Sequence, residues 1–524
     1  MDEQRRQAYL NLIQQLLTCP SGEDDQILES NRELVDAELL QVMAVVAEKI
    51  AADGNQNAAD FLASLRSQLL EIISESPTLV NPSSQDYLEL LKEVLIATIN
   101  SNSDPKVVYP LLEANLDKLD DNFIDILKTR ASSKFSEVEP ETAEIMARVI
   151  GNFSNLVRNF SLGNKANNIE IAIAGYKTIL TVFTHDSNPE IWASTHYNLG
   201  NAYINRINGD KADNLERALE AYQLALSVYT REAFPIDWAT TQNNLGIAYI
   251  YRIRGNKADN LERALEAYQL ALSVYTREAF PIDWATTQNN LGNAYSNRIG
   301  GDKADNFERA IAAYQKTLSV YTREAFPIEW AMTQNNLGSA YRDRIGGDKA
   351  DNLERAIAAY QKALSVYTRE AFPIEWAMTQ YNLGNTYSKR ILGNSAENLE
   401  KAIASYQNAS ELYTREAFPE DWADLQRNIG KLLVQQGSWY DGLSRLEQSL
   451  PIYRHTENLE ALADSVYHIA RTHHLIMNLD KARMNYRDAL RIYNHLNNQP
   501  GIAICKTGLG MLMISIGFID DARQ

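Results

Sequence analysis

The sequence predicts an all-α fold, an α-solenoid of stacked helical hairpins that follows a separate helical N-terminal domain. First, a motif recurs every 46 residues, and the segment Lys211–Gly246 returns without a change as Lys257–Gly292. Second, apolar residues inside each copy recur at spacings of three and four, which suits a helix and does not suit a strand. A unit of this length cannot bury its apolar faces alone, so successive copies are expected to stack. The period is marked by Gly200, Gly246, Gly292, Gly338, Gly384 and Gly430.

Each unit is predicted to contain two helices, A and B. Helix A is expected to begin at Pro235 in one copy, because the N–H that proline lacks would be unpaired in a first turn. Gly255 is placed to end helix A in a left-handed turn. Asp259 and Glu262 form a D-x-x-E capping pattern that predicts the start of helix B, and this helix is expected to stop near Phe280. Each helix should be ~25 Å long at the usual rise per residue.

Two recurring residue types receive structural interpretations. Gly246 falls inside helix A, where glycine costs roughly 1 kcal/mol relative to alanine. Close approach of helix B is expected to offset that cost, with Ala264 and Ala271 as the predicted partners. An arginine ends helix A in each unit, and a cation near a helix C-terminus is stabilising by ~0.3–1 kcal/mol. These arginines are Arg206, Arg252, Arg298, Arg344 and Arg390.

Three segments are predicted along the chain. Residues 1–144 form an acidic helical domain that lacks the repeat, residues 145–420 contain the 46-residue units, and residues 421–524 have a period of 40. A weaker copy precedes Gly200, with Ser154 at the glycine position. Helix B of the last unit has barely begun at Ala522, so this unit is expected to be truncated. In the first segment, helices are expected through Tyr9–Leu17, from Leu28 to near Gly54, and around 57–74, 84–99 and 119–130, with connections at Ser101–Pro110 and Ser132–Pro140.

Composition argues against several classes of protein. Residues 1–144 hold 27 acidic and 11 basic residues, and the other residues hold 41 and 39, so the chain lacks the basic footprint of a nucleic-acid binder. No window approaches 18 continuous apolar residues, so no membrane span is predicted. The two cysteines, Cys19 and Cys505, lie at opposite ends. This usage fits a reducing cytoplasm and does not fit a disulfide framework.

No catalytic or cofactor motif stands out. The sequence has no recognisable Ser-His-Asp set, phosphate loop or pair of carboxylates outside the repeat, so neither an enzymatic activity nor a cofactor is predicted. His468, His473 and His474 form a loose cluster. Their spacing differs from the i, i+4 pair of a helical metal site, so no metal is predicted.

The repeated residues resemble the tetratricopeptide repeat (TPR). Leu245, Gly246 and Tyr249 in helix A, followed by Ala264, Tyr268 and Ala271 in helix B, match the spacing of its consensus within each helix. The interval from Gly246 to Ala264 is 18 residues, which is longer than in the usual unit. In this respect the chain resembles TPR proteins with long units, such as kinesin light chain. The sequence pattern TREAFPxxWAxTQNNLG resembles that of cyanobacterial TPR proteins, some of which carry a caspase-like CHAT protease domain. The resemblance runs from about residue 145 to the end and implies a superhelix whose A helices line a concave groove.

An asparagine lies two residues before each of these glycines. The resemblance implies that this ladder clamps the backbone of a bound peptide, because an amide both donates and accepts and need not read side chains. The alternative is that the amides cap, solvate or bridge adjacent helices. A carboxylate clamp is less favoured, since only Arg342 and Lys389 stand near the required places. The predicted ladder is Asn198, Asn244, Asn290, Asn336, Asn382 and Asn428, and the predicted flanking groove residues include Asn243, Asn289, Asn335 and Asn293.

The sequence therefore predicts a non-catalytic scaffold that binds an extended peptide or a partner domain in the groove. One alternative is the sensor part of a TPR–CHAT protease whose catalytic domain lies outside this sequence. Another is a structural array that self-associates through the exposed last unit.

Overall fold

The computed structural model describes residues 3–18, isolated positions between 27 and 66, and residues 83–517. These residues form helices and no β-strand, which confirms the predicted all-α class. Contacts divide the chain into two compact units. The first is Met1–Glu137 with Asn159–Ile171, and the second is Val138–Arg158 with Ala172–Gln524.

The N-terminal unit begins with the expected amphipathic helix, which buries Tyr9, Leu12 and Ile13. The two predicted connections are too long, because only residues 101–104 and 138–139 of them lie outside helices. Pro105 opens a helix because the Asp104 side chain accepts the Lys106 N–H at its start, and the next long helix continues to Glu137. The helices of this region are α1 (Glu3–Thr18), α2 (Ser84–Asn100), α3 (Pro105–Glu113) and α4 (Asp121–Glu137), and α2 packs against α3 and α4.

Several expectations fall outside the described residues. They are most of the helix from Leu28 to Gly54 and of the helix over 57–74, together with Cys19 and Ala522.

Eight A–B hairpins and one further A helix follow in the described part of the chain. The weaker first copy is in register as predicted, because Tyr176 Oη donates to Asn155 Oδ1 at 2.6 Å, just as Tyr222 Oη donates to Asn201 Oδ1 at 2.7 Å one unit later. The A helices are α5 (Pro140–Asn159), α7 (Pro189–Ile204), α9 (Pro235–Tyr251), α11 (Pro281–Asn297), α13 (Pro327–Asp343), α15 (Pro373–Tyr387), α17 (Pro419–Gln436), α19 (Leu459–Leu475) and α21 (Gln499–Ile516). The B helices are α6 (Lys165–Ile179), α8 (Lys211–Val228), α10 (Lys257–Leu272), α12 (Lys303–Thr317), α14 (Lys349–Leu364), α16 (Ser395–Ser410), α18 (Trp439–His455) and α20 (Leu479–His495).

The ends of these helices correct part of the sequence analysis. Helix A begins at Pro235 as predicted, but it stops at Tyr251, and Gly255 adopts its positive φ of 80° in the following turn. The cap of helix B is Asn256, whose side chain accepts the N–H groups of Ala258 and Asp259. Asp259 is therefore the third residue of the helix and does not cap it. Helix B ends at Leu272, eight residues before the predicted end.

The glycine of helix A faces a tyrosine ring. A Cβ placed on Gly246 would lie 2.6, 2.9 and 2.9 Å from three ring carbons of Tyr268. The expected close approach is thus present, but the ring of Tyr268, and not Ala264 or Ala271, is nearest to the glycine. Tyr268 itself is 1% exposed, so the absence of a side chain at residue 246 makes room for a large buried ring.

The recurring arginine links adjacent units. Arg252, which directly follows α9, donates from Nε and Nη2 to the two carboxylate oxygens of Glu216 in α8, both at 2.8 Å, and from Nη1 to Asn260 Oδ1 at 3.3 Å. Asn260 is buried and donates in turn to the carbonyl of Arg254. The structural role is confirmed, although the main partner is a carboxylate of the preceding unit and not the helix end. The same pairing recurs as Arg298–Glu262, Arg344–Glu308 and Arg390–Glu354.

We expect Arg252 and Glu216 to be coupled by about 1 kcal/mol in a double-mutant cycle of Arg252→Ala and Glu216→Ala, measured by urea unfolding. Their side chains are 22% and 28% exposed, so solvent screens this bidentate pair only in part. The matched control is the Arg254–Asp213 pair between the same two units, in which both side chains are 54% exposed. Its coupling should be only about 0–0.5 kcal/mol. Equal coupling energies for the two pairs would contradict this interpretation.

Candidate functional site

The candidate site is the face of the array formed by the A helices, here called the A-helix face. Adjacent A helices contact one another directly, for example α9 with α11 and α11 with α13. The ladder asparagine of each 46-residue unit is the tenth residue of its A helix. The six predicted amides therefore lie at one level of successive, mutually contacting helices.

The ladder amides bridge adjacent A helices. Asn290 Nδ2 donates to Asn243 Oδ1 at 3.2 Å, and Asn336 Nδ2 donates to Asn289 Oδ1 at 3.4 Å. Asn382 reaches Asn335 in the same way at 3.5 Å. Where the preceding unit has a tyrosine, the amide donates to a phenol oxygen, as Asn244 does to Tyr197 and Asn428 does to Tyr381. The bridging role considered in the sequence analysis is thus present, and for Asn290 and Asn336 it occupies one of the two Nδ2 hydrogens.

The amide oxygens divide the ladder into two groups. Asn198 Oδ1 accepts from Arg158 at 3.3 Å, Asn382 Oδ1 accepts from Arg342 at 3.1 Å, and Asn244 Oδ1 accepts from Asn243 at 3.2 Å. In contrast, the oxygens of Asn290, Asn336 and Asn428 accept no hydrogen bond from any residue that the structure describes. Six residues that look equivalent in sequence therefore differ in what they offer to a ligand.

The predicted flanking residues serve mainly as partners of the ladder. Asn289 and Asn335 are 3% and 5% exposed, so they lie inside the array and accept from the next unit. Asn243 is partly exposed and accepts from Asn290. Asn293 accepts from Tyr314 Oη at 2.7 Å. Of these four, Asn289 and Asn335 are the least accessible to a ligand.

Arginine contacts the ladder in α5, as described above for Arg158, and again in α13. Arg342 is 16% exposed, and its guanidinium pairs with both carboxylate oxygens of Asp343 at 3.1 and 2.8 Å. Lys389, the other cation noted in the sequence, is exposed and forms no ion pair with the described residues. Helices α9 and α11 thus carry neutral amides at and before the ladder position, whereas Arg342 and Lys389 add positive charge in the next two units.

The sequence analysis missed a charged network in α17 and α19. Arg427 pairs with Asp424 at 2.9 Å, and Lys431 pairs with Asp464 at 3.1 Å. The signal was available, because Arg427 takes the place of the tyrosine or asparagine that precedes the ladder in the longer units. The repeat pattern alone does not single out this position, because its residue differs between units.

The histidines and the described cysteine make separate contacts. His468 lies 3.5 Å from Asp464, His474 contacts Ser515, and His473 is buried. Among the described residues, no group of three or more His, Cys, Asp or Glu side chains is placed to hold a metal ion. Cys505 is buried as expected, and burial raises the pKa of its thiol to about 11, so it is a poor nucleophile at neutral pH.

His196 on α7 should make the stability of the array depend on pH. Burial lowers its pKa from 6.5 to about 4, and its ring lies 4.3 Å from that of Trp192. Because the folded state favours the neutral imidazole, its contribution is complete above the ordinary pKa and is lost as pH falls from about 6.5 to about 4. The free energy of unfolding, measured with urea, should fall between pH 7.5 and pH 4 in both proteins. We expect this fall to be about 2 kcal/mol smaller in His196→Phe than in wild type. Parallel losses in the two proteins would contradict the assignment.

Helix α21 is the one described helix that is long and apolar enough to cross a membrane, judged by length and composition alone. Its 18-residue window has a mean hydropathy of 1.2 and is 22% buried. The sequence analysis predicted no span, because no window approaches 18 continuous apolar residues. Its packing against α20 commits one side of it to the array.

Family comparisons agree with the repeat geometry. Two models of the tetratricopeptide repeat match, one over residues 284–324 and 330–369 and the other over residues 422–495. No protein with a curated function matches the sequence.

Solved structures with a similar fold are distant in sequence. A signal-transduction ATPase with a tetratricopeptide-repeat sensor, from Pyrococcus horikoshii, is 13% identical with a TM-score of 0.51, and the match covers 98% of this chain and 69% of that chain. The quorum sensor NprR from B. thuringiensis is 14% identical with a TM-score of 0.39, and the match covers 78% and 99%. The C-terminal part of a repeat protein from Cytophaga hutchinsonii is 14% identical with a TM-score of 0.35, covering 56% and 95%. At these identities the likeness concerns the fold alone.

Proposed function

Because the chain is a tetratricopeptide-repeat protein, we propose that it is a non-catalytic interaction scaffold whose A-helix face binds the backbone of an extended peptide. The repeats indicate a protein-interaction scaffold in general terms. The finer statement, that the central ladder residues make the contacts, is argued from the hydrogen bonds of the asparagines.

The proposal rests on the observation that the ladder asparagines differ in how many of their hydrogen-bonding groups already have partners. Asn290 and Asn336 each use one amide hydrogen to bridge the array. Each keeps its second hydrogen and its oxygen without a partner in the described part of the chain. A peptide unit offers one carbonyl acceptor and one N–H donor, so each of these amides is complementary to a peptide bond. Both residues are partly exposed, which leaves these groups accessible.

The test uses peptides selected on the wild-type chain from a randomised library displayed on phage. We expect the double change Asn290→Ala and Asn336→Ala to weaken the selected peptides about ten-fold, since each lost hydrogen bond contributes about 0.5–1.5 kcal/mol. Affinity would be measured by fluorescence anisotropy with the full chain.

The matched control is the double change Asn198→Ala and Asn382→Ala. These residues stand in the same motif, but arginines already occupy their oxygens. Peptide affinity should therefore change by less than about two-fold. Equal losses in the two double variants would mean that alanine acts by loosening the array, and the proposal would fall.

A further inference from the structure

The A-helix face contains a pocket near its C-terminal end. It has a volume of about 580 Å³ and lies between α19 and α21, with Tyr486 of α20 in its lining. Tyr467 and Arg471 come from α19, and Ile504 and Met511 come from α21. A volume in this range is typical of sites that enclose a small ligand or a few side chains.

The asparagine ladder ends at the pocket. Counted along helix A, the ladder position falls on His468 in α19 and on Gly508 in α21. A Cβ at Gly508 would lie 2.4 Å from the ring of Tyr486. Gly508 therefore leaves room for the ring of Tyr486, which is 2% exposed and forms part of the inner wall of the pocket.

The rim of the pocket exposes apolar side chains. Met477 is 67% exposed, Met511 is 58% exposed, Leu475 is 45% exposed and Ile504 is 40% exposed. A contiguous apolar surface around a concavity is typical of an interaction site. Methionines at two of these positions suit a surface that adapts to its ligand, because the side chain is flexible and polarisable.

The lining of the pocket contains basic residues and no acidic residue. Arg471 is exposed and forms no ion pair with the described residues, and His474 also lines the pocket. None of the lining residues is an aspartate or a glutamate. A ligand group with a negative charge is therefore attracted here and meets no carboxylate that would repel it.

We propose that this pocket binds a large apolar side chain of a partner peptide, with an acidic residue of that peptide beside it paired to Arg471. The proposal rests on the proposed function, since it assigns a specificity pocket to the same peptide site. The amides of the central ladder would bind any extended backbone. The pocket would select the sequence of the peptide, because it binds one side chain by apolar contact and the neighbouring side chain by charge.

The experiment measures the composition and affinity of the library peptides on the full chain. Enrichment of Phe, Leu, Ile or Met next to Asp or Glu is expected. The variants Met511→Lys and Arg471→Glu should each weaken the enriched peptides about ten-fold. The controls Met484→Lys and Lys506→Glu make the same chemical changes at exposed residues outside the lining, and they should change affinity by less than about two-fold.

The outcomes separate this inference from the proposed function. If the ladder variant loses affinity while Met511→Lys and Arg471→Glu do not, the peptide site stands and the specificity pocket is wrong. If only the pocket variants lose affinity, the pocket stands and the ladder proposal is wrong. A library that enriches no apolar–acidic pair overturns the inference outright.

Two further arms identify other occupants of the pocket. Vesicles of phosphatidylcholine and phosphatidylglycerol would be sedimented with wild type and with Met511→Lys. Binding that is lost in the variant would assign the apolar rim to a membrane and overturn the peptide proposal. A chain ending at Gly517 would be panned in parallel. Enrichment of apolar–acidic peptides on this shorter chain alone would show that residues 518–524 occupy the pocket.

Discussion

Replacement of Tyr314 by alanine is expected to lower the free energy of unfolding by about 3–5 kcal/mol, the range for truncating a large buried aromatic side chain. The ring is 2% exposed and lies against Gly292 of the preceding A helix. Its removal leaves a cavity between helices A and B of one unit. Urea unfolding followed by far-ultraviolet circular dichroism measures the change, and a loss below about 1 kcal/mol would contradict the packing described here.

The contribution of the Tyr314 hydroxyl group to stability can be distinguished from that of its ring by a comparison with Tyr268 of the preceding unit. Tyr314 Oη donates to Asn293, whereas Tyr268 has Ile247 at the corresponding position and no hydrogen-bond partner for its hydroxyl in the described residues. Tyr314→Phe should therefore cost about 1 kcal/mol, and Tyr268→Phe should cost almost nothing. Equal costs would show that the hydrogen bond to Asn293 contributes no net stability.

Gly292→Ala is expected to destabilise the protein by about 1–3 kcal/mol, although alanine is intrinsically better in a helix by about 1 kcal/mol. The added Cβ would lie 2.6 Å from Tyr314 Cε1, and the ring is enclosed and cannot move away freely. Gly151→Ala in α5 is the control inside another A helix, because the nearest atom there is Ile179 Cδ1 at 3.0 Å, which is the far end of a side chain.

The sign of the alanine effect should reverse when the ring is removed. In a Tyr314→Ala background the clash is absent, so Gly292→Ala should raise stability by up to about 1 kcal/mol through helix propensity alone. Urea unfolding of the two single variants and the double variant tests this directly. A Gly292→Ala change that destabilises both backgrounds equally would mean that the glycine is needed for a reason other than Tyr314.

The hydrogen bonds left open at each ladder asparagine depend on contacts that a single unit does not contain. Asn290 and Asn382 both stand in an Asn-Leu-Gly motif within A helices. Only the oxygen of Asn382 is occupied, because Arg342 of the preceding A helix reaches it. A local pattern predicts which residues share a helical face, but an arginine one unit away decides whether the amide oxygen is already occupied.

The sequence by itself determined the all-α class, the register of the units and the start of helix A at Pro235. Proline geometry, glycine placement and apolar spacing are properties of neighbouring residues along the chain. The cap of helix B was misplaced by three residues, since Asn256 and Asp259 both fit a capping position and only the backbone geometry separates them.

The tertiary structure alone decided the rest. It selected the ring of Tyr268 over the buried alanines as the partner of Gly246, and it paired Arg252 with Glu216 of the preceding unit. It also left the amide oxygens of Asn290 and Asn336 without a partner among the described residues. The physical reason is that these contacts join residues far apart in sequence. Tyr268 meets Gly246 across the hairpin of one unit, whereas Arg252 and Glu216 are 36 positions apart and Arg342 and Asn382 are 40 positions apart. Near-identical units therefore become different through the neighbours that stacking places beside them.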